Sequence, residues 1–352
     1  MNRRSVASLL AVGLLAVLVV VGARMPVPYV TVSPGPTIDV LGDNGGKPIV
    51  QVEGHKTYPT DGQLRLTTVS VTNPESHLTL MDALWAWMRS DRDVLPAEAM
   101  YPKNTSAEQD HAESAAQMVS SQDTAIAAAL SELGYKLPTH VEITGVTPGG
   151  PSDGKLEPRD RITSVNGTDI TDMNDLLGAL GQVKPGDTVE IGVRRGGDDK
   201  TFQITTAPAQ DDKSRAVIGV LVGVGYDFPF DVRVRIDQSI GGPSAGLIFA
   251  LSVYDTLTPG ALTDGHTVAG TGTIAPDGTV GPIGGIREKI IAAARAGAKL
   301  FFVPAANCDS AEKAPIEGSD MQLVRADTMH SAVTSLKKYD DDPNADLPRC
   351  PT

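Results

Sequence analysis

The sequence predicts an α+β multidomain protein with an apolar N-terminal helix, a β-rich and helical region, a small β domain and a C-terminal α/β domain. Three observations predict this. The 352 residues, 41% of them hydrophobic, exceed one typical domain and suffice for more than one packed core. An uncharged run from Ser5 to Ala23 stands between Arg3-Arg4 and Arg24. Glycine-punctuated short strands then give way, after a charged linker at 208–214, to a nearly all-apolar strand and a buried-type helix.

The apolar run, residues 5–23, reaches about 28 Å as a helix, close to the hydrocarbon thickness of a bilayer. Its basic N-terminal flank predicts a single-pass transmembrane anchor over 1–24, with everything after Arg24 outside the cytoplasm. A cleaved signal peptide, with Val21-Gly22-Ala23 as the cleavage site, is the competing reading and exports the same residues. Residues 25–133 read as a membrane-proximal collar. It holds strands at 27–32 and 64–71, turns at Pro34-Gly35-Pro36 and Asp61-Gly62, and helices over 79–90 and 106–133. Trp85 and Trp87 read as packing residues.

Residues 134–207 change character. Short strands at 141–146, 188–194 and 201–205 surround a helix over 172–180 that Asp172 can cap. The phrase GGPSDGKLEPRDRITSVNG carries a resemblance to PDZ domains, with Arg159 where a glycine is common. That resemblance places a peptide-carboxylate loop at Leu133-Gly134-Tyr135 and implies peptide binding by strand addition. An ordinary small β domain is the alternative.

Net charge is −13 with no long Lys/Arg run, which argues against a nucleic-acid surface. The two cysteines, Cys308 and Cys350, make neither a disulfide framework nor a metal cluster, and their pairing is left open. No cofactor or metal is called for, and no G-x4-G-K-[ST] motif supplies ATP-driven work.

Ser244, in Gly241-Gly242-Pro243-Ser244-Ala245-Gly246, precedes the apolar helix of Leu247, Ile248, Leu251 and Tyr254. Backbone N–H groups at a helix start suit an oxyanion, and Ser244 with Gly241 or Gly242 are the candidate donors, since Pro243 has none. An N-cap serine after a glycine turn is the plain alternative. Lys289 shares a helical face with Ile286, Ile290 and Ala293. Partial desolvation there lowers a lysine pKa and makes it a base for a serine hydroxyl, whereas a surface lysine paired with an acid is the plain reading.

The segments GGPSAG, TGTI and GPIGGIREKIIAAARAGAKLFFVPAAN resemble the Lon proteolytic domain over about 212–340. The resemblance implies Ser244 as nucleophile, Lys289 as general base and Thr271 as the group holding the lysine, with Arg287 not the base. Gly241, Thr273, Arg233 and Arg235 depart from residues common in that family. The whole order is similar to membrane-anchored, PDZ-containing Lon-like serine proteases of bacteria without the ATPase module. It implies an ATP-independent endopeptidase acting on unfolded or flexible polypeptides, and a homo-hexameric ring as a candidate assembly. A membrane-tethered PDZ adaptor with a silent Lon fold is the rival. His266 reads as a turn residue rather than a catalyst, and 341–352 as a flexible acidic tail.

Overall fold

The computed structural model describes residues 3–73, 78–101, 107–237, 239–316 and 318–350. Helix α1 covers Arg3–Ala23. Side chains of α1 are described from Leu10 onward, so those at 5–9 of the expected span are outside the description. Among the described residues no helix is long and apolar enough to cross a membrane.

The following strands are β1 (Tyr29–Asp39), β2 (Val50–Glu53) and β3 (Gln63–Val71). The expected turn at Pro34-Gly35-Pro36 is instead a bulge inside β1, where the register with β3 shifts between Pro34 and Thr37. Helix α2 (Leu80–Trp87) starts on a capping box of Thr79 and Asp82. It buries Ala83 and Ala86 rather than its tryptophans, because the small alanines let it lie close to β1 and to β4 (Asp93–Pro96). Trp85 and Trp87 are therefore exposed, not packed, at 62% and 75%. Helix α3 follows over Ala107–Glu132.

The small β unit holds β5 (Thr139–Val146), β6 (Arg161–Val165), α4 (Met173–Leu180), β7 (Thr188–Arg195), β8 (Asp198–Thr205) and β9 (Val220–Tyr226). Asp172 caps α4 through a capping box with Asp175, as its position predicts. The strand order is β8-β7-β6-β5-β9. The apolar strand expected to open the C-terminal domain is thus β9, an edge strand of this sheet. It pairs antiparallel with β5 from Val220↔Val146 to Tyr226↔Thr139. Ile143, Ile162, Ile191 and Leu176 form the unit's own core.

The rest of the chain supplies β10 (Asp231–Val234), α5 (Gly246–Leu257), β11 (Thr267–Gly270), α6 (Ile286–Arg295), β12 (Leu300–Pro304), β13 (Gln322–Ala326) and α7 (Met329–Asp341). Its sheet runs β13-β12-β11-β3-β1-β4, with β13, β12, β11 and β3 mutually parallel and β1 antiparallel to β3. The segment expected to be a separate collar therefore provides three of the six strands. Leu64 and Leu66 on β3 are fully buried in one core with Ile248 of α5, Phe302 of β12 and Ile126 of α3. Strand β10 pairs with β2, adding a second link between the two ends of the chain. Burial across so many non-local elements makes the region one cooperative unit. The small β unit is an insertion between α3 and β10.

The expected flexible tail is held down. Leu347 is buried, the Pro348 carbonyl accepts from the Arg325 N–H at 2.9 Å, and Cys350 is disulfide-bonded to Cys308.

Candidate active site

Three elements bring Ser244, Thr271 and Lys289 together. Ser244 lies two residues before α5, a helix buried from Gly246 through Val253. It is not the helix cap: Ala245 holds that position, and no side chain caps α5. Gly242, at φ +86°, makes the turn that precedes the serine. Thr271 follows β11 in the middle of the large sheet, with its N–H donating to the Phe302 carbonyl. Lys289 is on α6, which starts at Gly285 in the left-handed region, where a Cβ would press on Val69 of β3.

Lys289 Nζ is 2.7 Å from Ser244 Oγ and 3.0 Å from Thr271 Oγ1. The Thr271 hydroxyl donates in turn to the Ser244 carbonyl at 2.9 Å, which also accepts from the Gly272 N–H at 2.9 Å. Thr271 thus fixes the backbone of the serine and the head of the lysine at once. Ser244 is partly exposed, while Lys289 is 2% exposed and Thr271 1%. Burial lowers the Lys289 pKa to about 8. Among the described residues no carboxylate forms an ion pair with it, so the surface-lysine reading does not describe this side chain. Arg287 points elsewhere, to Asp93 at 3.0 Å and the Ser90 carbonyl. Glu288 is buried, and burial raises its pKa.

The candidate oxyanion donors separate. The Gly242 N–H donates to the Ser114 carbonyl of α3 at 3.0 Å and is occupied. The N–H groups of Ser244 and Gly241 make no hydrogen bond among the described residues, leaving them as the donors that could receive an oxyanion. Ser121 of α3 donates to the Pro243 carbonyl at 3.1 Å. Ser114 and Ser121, seven apart on one helix face, therefore hold the loop that carries Ser244. Nothing in the sequence of α3 marks them without knowing which helix it packs on. Asn307 is a second unforeseen support, bonding both the N–H and the carbonyl of Ile283 at 2.9 Å just ahead of α6.

Leu133-Gly134-Tyr135 lies at the end of α3. Gly134, at φ +89°, ends α3, with the Tyr135 N–H returning to the Leu130 carbonyl. Leu133 and Tyr135 pack on the large core, and the Tyr135 ring meets Phe230 edge-on. His266 stacks edge-on with Tyr339, and no histidine contacts Ser244 among the described residues.

Residues 238–336 match the Lon protease (S16) C-terminal proteolytic domain, and residues 116–206 match the PDZ domain. The chain carries a Lon proteolytic domain and a PDZ domain. The Lon domain is 40% identical over 105 residues to the Lon protease of Campylobacter concisus, covering 28% of this chain and 13% of that protein. It is 43% identical over 90 residues to the Lon protease of Desulforamulus reducens, covering 25% of this chain and 11% of that one. The match thus spans a small fraction of these relatives' length. The PDZ domain is similar to that of an SdrC-like protein from Listeria innocua, at 24% identity and a TM-score of 0.22, covering 24% of this chain and 92% of that one. The PDZ match begins on α3, so this helix belongs to the margin of the PDZ domain while its serines hold the loop that carries Ser244.

Proposed function

We propose that the chain is an ATP-independent serine endopeptidase working through a Ser-Lys dyad on unfolded or flexible polypeptides. The observation that carries this is the 2.7 Å contact between a partly exposed serine and a buried lysine whose pKa is lowered to about 8. Deprotonated, Lys289 Nζ accepts the Ser244 proton as Oγ attacks the scissile carbonyl. The N–H groups of Ser244 and Gly241 receive the developing oxyanion. Lysine then returns the proton to the leaving amine, and water repeats the sequence on the acyl-enzyme. Thr271 is a positioning residue.

The PDZ domain is assigned substrate recruitment at β9. This strand has one pairing partner, β5, and Val224 on it and Leu177 on α4 are the domain's exposed large apolar side chains. A free strand edge beside apolar side chains suits a peptide added as a further strand. The experiment for the whole reading is digestion of casein with and without ATP. Turnover is expected to be equal in both, absent in Ser244→Ala, and reduced about tenfold in Thr271→Val. A requirement for ATP, or cleavage by Ser244→Ala, would overturn it.

Anchoring at a membrane, with the catalytic domain outside the cytoplasm, belongs to the same proposal. Its support is the exposure of the large apolar side chains of α1 from Leu10 to Val21, at 53–70%, with exposed Trp85 and Trp87 on the neighbouring α2. Tryptophan favours the bilayer interface. The Cys308–Cys350 disulfide agrees with an oxidising compartment. The full chain is expected to co-sediment with phospholipid vesicles and the 25–352 fragment to stay in the supernatant. Equal partitioning of the two would count against the anchor.

A further inference from the structure

We propose that a groove beside the nucleophile loop selects polypeptides carrying an acidic side chain near the scissile bond, and that Arg235 is the residue that reads it. This rests on the peptidase reading above and specifies its substrate class. A cavity of about 950 Å³ runs between α3, the turn Pro158-Arg159 of the PDZ domain, residues 233–237 and Ile240. Ile240 lies four residues before Ser244. Met118, which also lines the groove, sits on α3 between Ser114 and Ser121, and the spacing puts all three on one helix face. The groove therefore opens where the nucleophile loop begins. An extended chain lying in it is led to the serine.

The charges of the groove are unevenly committed. Arg233 is tied to Asp231, and Arg159 to Asp123 at 2.9 Å. Asp237 turns its carboxylate back onto the Ser239 N–H at 2.8 Å, closing its own loop. Arg235 is exposed, and its guanidinium makes no hydrogen bond or ion pair among the described residues. The uncommitted charge is thus a cation, in a groove also lined by Met118 and Ile240 and in a chain of net charge −13. A guanidinium fork against an apolar wall is the chemistry that holds a carboxylate in two hydrogen bonds.

Arg159 strengthens the case from separate evidence. Its φ of 74° lies in the left-handed region, which costs a non-glycine residue about 1 kcal/mol. Strain of this kind persists where the side chain is used. Here the guanidinium lines the groove and faces the buried carboxyl of Asp123, whose pKa burial pushes up while Arg159 draws it down. The arginine thus keeps a buried acid from presenting bare negative charge beneath the groove.

The test measures binding of labelled peptides to full-chain Ser244→Ala, with one Glu stepped through each position of an otherwise neutral peptide and Gln as its control. At low ionic strength the Glu peptide with the best register is expected to bind about fivefold tighter than its Gln control. The advantage should shrink as salt screens it. Arg235→Gln should bring the ratio to one, Arg235→Glu should invert it, and Arg235→Lys should keep part of it. Equal affinities for Glu and Gln at every position, or a preference untouched by Arg235→Gln, would overturn the assignment. Because binding is read on an uncleaving protein, failure of the peptidase reading shows separately, as absent turnover by the wild type.

Discussion

Lys289→Met is expected to abolish peptide hydrolysis, with kcat/KM falling at least about a thousandfold, while making the protein more stable at neutral pH. Both effects come from one buried amine. Methionine matches the length of the side chain but cannot take the serine proton. The stability gain follows from the lowered pKa, about 8 in the fold against 10.5 for a free lysine. Below pH 8 the native state holds a charged ammonium that burial disfavours, at a cost of roughly 3 kcal/mol. Between pH 8 and 10.5 the unfolded chain binds more protons than the native one, so wild-type stability rises with pH through that window. The advantage of Lys289→Met is therefore largest below pH 8 and gone above about 10.5. Urea titrations of both proteins across this range check the sign. In the wild type, kcat/KM should rise through about pH 8 to a plateau, because only the neutral lysine is a base. A flat profile, or an inactive variant that is also less stable at pH 7, would contradict a desolvated base.

Opening the Cys308–Cys350 disulfide is expected to cost about 2–4 kcal/mol of stability, the range for a loop of this kind, whose cysteines are 42 residues apart. The loss should reach the active site. Cys308 follows Asn307, which holds Ile283 by two hydrogen bonds, and Ile283 leads through Gly284-Gly285 into α6 and Lys289. Both cysteines pack with Ile286 and Ile290 in one cluster, with Cys350 partly buried at its edge. Cys350→Ser should lower the melting temperature and raise tryptic cleavage after Arg349, measured by thermal scanning and limited trypsinolysis. A melting temperature unchanged by both Cys350→Ser and reductant would remove the tail from the stability of the domain.

Ser244 and Lys289 were legible in the sequence as a candidate pair because each sits in a local signal. Ser244 has its glycines and apolar helix, and Lys289 has its apolar face. The spacing between the two carried no geometric information, and their meeting depends on β11 and α6 packing in the large core. The role of residues 25–73 was not legible. Strand β3 joins the sheet through parallel pairing with β11, some two hundred residues away, as in Leu64 against Val268. No pattern within either strand encodes such a partner. Strand β9 was misplaced for a related reason: its Val, Leu and Gly run fits any buried strand, and only the open edge of β5 decides where it goes. On α2 Trp85 and Trp87 read as packing residues, but close packing on β1 and β4 selected Ala83 and Ala86. For the oxyanion donors, the Ser114 carbonyl removed Gly242, a contact between segments that sequence spacing does not join.

The place where the PDZ domain is inserted has a mechanical consequence. The chain enters it through β5 and leaves through β9, and these strands pair at their outer ends, Thr139 against Tyr226 and His140 against Gly225. The domain is therefore mounted on a two-stranded stem rather than on a single flexible tether. On its flank α3 lies against β5 and β9, where Gly145 leaves room for Ala116. The same helix grips the nucleophile loop through Ser114 and Ser121. The outer strand edge and the loop that carries Ser244 are thus joined through a single helix.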